Sequence, residues 1–112
     1  MRFRLSQDFV DQLDTYFTEA SFSKLLLRLK EMPTAGIVIP GYSGIRKLRA
    51  PDALRRIGVR YGLRVIYRHI PKEDMIVLYL AYRESDQTDI LPHQRALFFD
   101  DYFEEFPGDV WM

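Results

Sequence analysis

The sequence predicts a small α+β domain: a small, mostly antiparallel sheet with an N-terminal helix hairpin on one face and a C-terminal helix, in the order β-α-α-β-β-β-α. Three observations predict it. Two apolar stripes at helical spacing fill the first third of the chain. Three strand-like runs bounded by turn residues fill the middle. Pro92 then opens a last helical pattern. At 112 residues and 47% hydrophobic content, the chain is one domain by length and carries enough apolar mass for a single core.

Met1–Leu5 alternates and reads as a short strand, and Ser6 caps the helix that follows it. Phe9, Val10, Leu13, Tyr16 and Phe17 recur at helical spacing through residues 7–18. Ser21 or Ser23 opens a second helix whose stripe is Phe22, Leu25, Leu26, Leu29 and Met32, and Pro33 ends it. Residues 33–44 hold three glycines and two prolines and read as irregular. The strands are Ile45–Arg49, Arg60–Ile70 and Met75–Tyr82, with Pro71–Asp74 as the hairpin turn. Alternation places Leu63, Val65 and Tyr67 on one face of the second strand and Arg64, Ile66 and Arg68 on the other. In the third strand the same rule gives Tyr79 and Ala81 the parity of Arg83, and Tyr82 the parity of Ile76, Leu78 and Leu80. The last helix runs from Pro92 to about Phe106, with Leu97, Phe98, Tyr102 and Phe106 as its apolar members. An acidic C-terminal helix and tail, from about 92 to 112, completes a single domain spanning 1–112.

The net charge of zero hides an asymmetry. Residues 46–83 carry ten basic and three acidic groups, while residues 84–112 carry one basic and eight acidic. A strand has two faces, and one is usually needed for the core. A sheet that spends its other face on arginines presents a positive surface, and guanidinium forks match phosphate oxygens in pairs. Lys47, Arg49, Arg64 and Arg83 are expected to gather on an open sheet face. The chain has no Cys, which excludes disulfides and thiolate metal sites. Two histidines without ligand spacing suggest no zinc site. No apolar run approaches the roughly 20 residues needed to cross a bilayer. No membrane partner, no cofactor and a cytoplasmic location are therefore expected.

The residues from Pro33 to Tyr67 also carry a resemblance. Pro33, Gly36, Ile39-Pro40-Gly41-Tyr42-Ser43-Gly44-Ile45-Arg46-Lys47-Leu48-Arg49, then Gly62-Leu63-Arg64-Val65-Ile66-Tyr67, then Tyr82-Arg83 and Asp89-Ile90-Leu91 follow one another in a familiar order. The chain resembles the HigB-like branch of the RelE toxin superfamily over roughly residues 20–105. The resemblance implies a RelE-like fold and a toxin of a type II toxin–antitoxin pair. Such a toxin is an endoribonuclease that cuts mRNA, usually in the ribosomal A site, without metal. It is neutralised by a cognate antitoxin protein with a helix-turn-helix DNA-binding domain. Arg64 aligns with the family's arginine that contacts the scissile phosphate, and Arg83 with a phosphate-contacting or leaving-group-side residue. The loop Ala50–Gly58 departs from the Gly- and Lys-rich pattern, Arg83 stands where Lys is common, and the C-terminal end is acidic.

RNA cleavage by an internal 2′-hydroxyl builds charge on the phosphoryl oxygens, which fixed cations stabilise. On this reading Lys47, Arg64 and Arg83 are catalytic. Lys47 is the one strand cation able to serve as base, because a crowded lysine can give up its proton and an arginine cannot. Arg46, Arg49, Arg55, Arg56, Arg60 and Arg68 are the RNA-binding candidates. The general acid is left among Tyr82, Tyr61 and His93, with Tyr82 alternatively a core residue. Tyr42, Tyr61 and Tyr79 are candidates for stacking on bases, or for filling core and edge space. Without the resemblance, Arg64 fits a buried salt bridge or an outward, solvated charge as well as a functional role; with it, the functional reading leads. Asp100, Asp101, Glu104 and Glu105 read as a solvated helix face, or as a tail laid over the basic face, and Trp111 hints at an interface. A rival reading is a catalytically degenerate module that holds an antitoxin or RNA without cutting.

Overall fold

The computed structural model describes residues 1–87, 89–98 and 110–112. Strand β1 (Arg2–Leu5) leads into α1 (Gln7–Tyr16) and α2 (Glu19–Glu31). Then come β2 (Ile37–Val38), β3 (Ile45–Ala50), β4 (Leu63–Ile70) and β5 (Met75–Arg83), and β6 (Val110–Trp111) follows after a 3-10 segment at Pro92–Phe98. The sheet runs β2-β3-β4-β5-β1-β6. All neighbours are antiparallel except β1 and β5, which are parallel. The fold is thus the α+β class that the patterning predicts.

Local chemistry sets the helix ends. The Ser6 hydroxyl accepts from Phe9 N–H at 3.2 Å and donates to the Tyr79 carbonyl at 2.5 Å, so one side chain caps α1 and ties it to β5. The second helix starts earlier than Ser21 or Ser23. Thr18 is its cap, and Ser21 completes a capping box by accepting from the Thr18 N–H at 2.9 Å. Phe9, Phe17 and Phe22 meet around this corner with centroids 5.9–6.2 Å apart. Met32, expected on the apolar stripe, lies past the helix end and is exposed.

Residues 33–44 are less irregular than their glycines suggest, because Ile37–Val38 pairs with Arg46 and Lys47 as the edge strand. Gly36 makes this approach possible. A Cβ there would stand 2.8 Å from the Tyr67 ring. The Tyr67 hydroxyl accepts from Gly36 N–H at 2.9 Å and donates to the Pro33 carbonyl at 2.8 Å.

Both sheet faces are covered over much of their area. On one, the helices bury Phe3, Leu5, Leu48, Leu63, Val65, Tyr67, Ile76 and Leu78. The other was expected to be open. Instead Ile39, Tyr42 and Ile90 pack over Ile45, Ile66, Val77, Leu80 and Tyr82 as a second core.

A β-bulge reorders the faces. Ile66 pairs with Leu80, but Tyr67 pairs with Leu78, leaving Tyr79 as the extra residue of β5. Alternation therefore flips along β5. Tyr79 and Tyr82 both join the second core, while Ala81 joins the first. Tyr79 and Ala81, expected on an open face, are buried. The last helix, expected from Pro92 to Phe106, is a 3-10 segment over Pro92–Phe98, and its continuation lies outside the described residues, as does the Asp100, Asp101, Glu104, Glu105 group. Trp111 pairs with Arg4 at the edge opposite β2.

Candidate functional site

Cross-strand register decides which cations meet. Arg49 pairs with Arg64, and Arg64 with Tyr82, so one row across β3, β4 and β5 reads Arg49–Arg64–Tyr82 on the face away from the helices. The next row reads Lys47–Ile66–Leu80. Lys47, Arg49 and Arg64 thus share a face, as alternation predicts. They line a cleft of about 520 Å³ that opens where β2 stops short and leaves the end of β3 uncovered. Arg28 reaches in from α2, donating to the Arg49 carbonyl at 3.0 Å. Ile37, Val38 and Pro40 give the cleft an apolar wall, and Glu84 and Asp89 line it too.

The three cations differ in what they hold. The Arg49 side chain is exposed and Lys47 partly so, and neither has a hydrogen bond or ion pair among the described residues. Arg64 is buried, 5% exposed. Its guanidinium donates to the carbonyls of Val59 at 3.1 Å, Leu63 at 3.0 Å and Arg60 at 2.8 Å. Its Nε lies 3.3 Å from a Glu84 carboxylate oxygen. Two guanidiniums directly opposite one another repel, and Glu84 offsets that repulsion. The residue expected to stand free on an open face is instead folded into its own loop. Replacing Arg64 with alanine would strand three carbonyls and Glu84, so Arg64 is tied into the fold and does not stand free on the surface.

Arg83 is not with this group. The bulge turns it to the helical face, where its Nε donates to Asp52 at 3.0 Å and a terminal nitrogen donates to the Thr15 carbonyl at 3.1 Å. Its guanidinium stacks 5.0 Å from the Tyr16 ring. Asp52 is 1% exposed and also accepts from the Arg55 N–H at 3.2 Å. It closes the Asp52–Ile57 loop, whose ends pair through two backbone bonds of 2.8 and 3.0 Å. Asp52 is the buried acid that sequence reasoning passed over. Its only signal was being the single acid in a basic run.

The remaining cations scatter. Arg46 lies on the helical face and donates to the Gly36 carbonyl at 2.8 Å, holding the 33–36 loop. Arg55 bonds Ser85 at 3.0 Å. Arg56 is exposed, in the left-handed region at φ 57°. Arg60 is exposed and stacks 5.3 Å over Tyr61. Arg68 is on the cleft face but toward its other end, opposite Ile45.

The three acid candidates also separate. Tyr82 is 1% exposed, and its hydroxyl has no hydrogen-bond partner among the described residues. Burial first, then the nearby Asp89 and Glu84 carboxylates, push it up to about 12 against the pull of Arg64. Tyr61 is exposed, in the loop whose carbonyls hold Arg64. His93 lies against Asp8, Asp11 and Gln12 of α1, away from the cleft.

Among the described residues, no group of His, Cys, Asp and Glu could hold a metal ion. No helix among them is long and apolar enough to cross a membrane. No protein-family model matches the chain.

Proposed function

We propose that this chain is the toxin of a type II toxin–antitoxin pair, an endoribonuclease that cuts mRNA on the ribosome and is neutralised by a helix-turn-helix antitoxin. The observation that carries the proposal is the shared face of Lys47, Arg49 and Arg64, set at one cleft by the β3–β4 register. The resemblance through the Ile45–Arg49 and Gly62–Tyr67 segments supplies the chemistry. The 2′-oxygen attacks the adjacent phosphorus, the bond to the 5′-oxygen breaks, and a 2′,3′-cyclic phosphate is left. Lys47 takes the 2′-hydroxyl proton. Arg49 neutralises the charge growing on the phosphoryl oxygens, and Arg64, rigid in its carbonyl cage, adds a fixed positive field. Tyr61, exposed in the loop whose carbonyls hold Arg64, returns a proton to the 5′-oxygen.

The test is expression of the chain alone, with mRNA mapped on translating ribosomes. Growth arrest with discrete cuts is expected, and Arg49→Ala should reduce cutting roughly a hundredfold or more, as removal of one transition-state donor does. Arg49 serves better than Arg64 for this test because its side chain holds no hydrogen bond or ion pair among the described residues.

One observation favours a second reading. Arg83 is committed to Asp52 and the helices, and Tyr82 is buried. A chain that binds antitoxin or RNA without cutting fits that arrangement. It predicts normal growth on induction and RNA binding with no cleavage products.

A further inference from the structure

The cleft carries more than cations. Four basic side chains, Arg28, Lys47, Arg49 and Arg64, share it with two carboxylates, Glu84 and Asp89, and with the apolar wall of β2. A surface meant only for phosphate gains nothing from carboxylates, which repel it. Glu84 has a structural reason to be there, the 3.3 Å contact to Arg64. Asp89 has no such reason: it makes no ion pair among the described residues, and its Oδ1 accepts the Ile90 N–H at 2.7 Å. That bond fixes the carboxyl in the cleft and leaves Oδ2 free of hydrogen bonds among the described residues. Ile90 anchors the segment by burying itself in the second core.

A ligand that matches this lining has an anionic group for the cations, a flat apolar body for the β2 wall and hydrogen-bond donors for the carboxylates. A nucleotide in single-stranded RNA is such a ligand, since its unstacked base exposes the Watson–Crick edge. Among the four bases, guanine alone offers two adjacent donors on that edge, N1–H and the N2 amino group. Two parallel donors suit a carboxylate as a guanidinium does.

We propose that the cleft is a guanine-selective nucleotide site, in which Asp89 accepts from the guanine Watson–Crick edge while Arg49 and Lys47 hold the phosphate. The inference rests on the RNA reading above and adds the base that the site selects. Asp89 is a specificity-determining residue in it, with no part in bond breaking.

The experiment uses the full chain and four short single-stranded RNAs that are uniform in uracil except for one central G, A, C or U. The RNAs carry 2′-deoxy sugars at the centre to prevent cleavage, and binding is measured by fluorescence anisotropy. The G oligomer should bind roughly tenfold tighter than the U oligomer, within what one good bidentate base contact discriminates. Asp89→Asn keeps the Oδ1 acceptor for Ile90 but presents an amide N–H₂ in place of Oδ2. It should erase the G preference while leaving U-oligomer affinity and the melting temperature unchanged. Equal binding of all four by the wild-type chain overturns the guanine site and leaves the RNA reading standing. A G preference that survives Asp89→Asn overturns the assignment to Asp89. Binding of none of the four overturns both readings at once.

Discussion

Apart from the caged Arg64, the two faces of the sheet treat their polar groups in opposite ways. On the helical face the buried polar groups are matched. Asp52 meets Arg83 and the Arg55 N–H, and the Tyr67 hydroxyl both accepts and donates. On the other face Tyr82 buries a hydroxyl that finds no partner among the described residues, and Lys47 and Arg49 hold their charges toward a cleft. A matched network specifies a structure. Unmatched groups on an otherwise well-packed face mark where the molecule has something else to meet.

The largest expected effect comes from breaking the matched side. Arg83→Met leaves Asp52 buried with only Arg55 for company, and should cost about 3 kcal/mol, the low end for a broken buried pair. A denaturant titration measures it, and a midpoint unmoved from wild type would place Asp52 in water rather than in the core. Tyr67→Phe should cost about 2 kcal/mol, since it strands the Gly36 N–H and the Pro33 carbonyl together.

The same substitution on the other face should have the opposite sign. Tyr82→Phe removes a buried hydroxyl that bonds nothing among the described residues, so neutral-pH stability should rise by up to about 1 kcal/mol. It should also change the alkaline limb. The folded Tyr82 titrates near 12, above its ordinary 10.0, so the unfolded chain loses this proton first. Stability is full below pH 10 and falls as pH rises from 10 toward 12, by about 3 kcal/mol for this group. Tyr82→Phe should flatten most of that fall, leaving the smaller share that burial of Tyr67 contributes in the same direction. Thermal melts from pH 8 to 12 decide it.

In acid, His69 adds a weaker trend. Burial, then Arg46, hold its proton affinity below the ordinary 6.5 despite Asp74. The unfolded chain therefore binds the proton more readily, and stability falls as pH drops below 6.5. The smallest stability effects belong to Lys47→Ala and Arg49→Ala, each within about 0.5 kcal/mol. Each should instead lower the slope of log affinity for RNA against log salt by about 1. A large loss of stability in either would move these side chains to the matched side of the comparison.

Much of this was legible in the sequence. Helical spacing located both helices, and alternation assigned β4 correctly from Leu63 to Arg68, which is why Lys47, Arg49 and Arg64 were placed together. Alternation failed on β5 because a bulge inserts one residue. Tyr79 carries no glycine or other local mark of one, since the bulge is fixed by pairing with β4 and not by β5 itself. Arg83 was misplaced for that reason alone. The Thr18 cap was missed because Ser21, in place of the usual Glu or Gln, serves as the reciprocal partner. The carbonyl cage of Arg64 is built from loop backbone, which has no side-chain signature at all.

The placement of β1 has a consequence for how the chain reaches this state. Its parallel partner β5 begins 73 residues later, as Arg2 against Met75, and its other neighbour is β6 at the far end. The β4–β5 hairpin closes over four residues and can form as soon as it is made. The first strand, with the two helices behind it, must wait for nearly the whole chain. Such non-local pairing slows folding. During synthesis the part of the α1 face that packs on β5 therefore stays uncovered until β5 has left the ribosome, and β1 takes its place between β5 and β6 late rather than first.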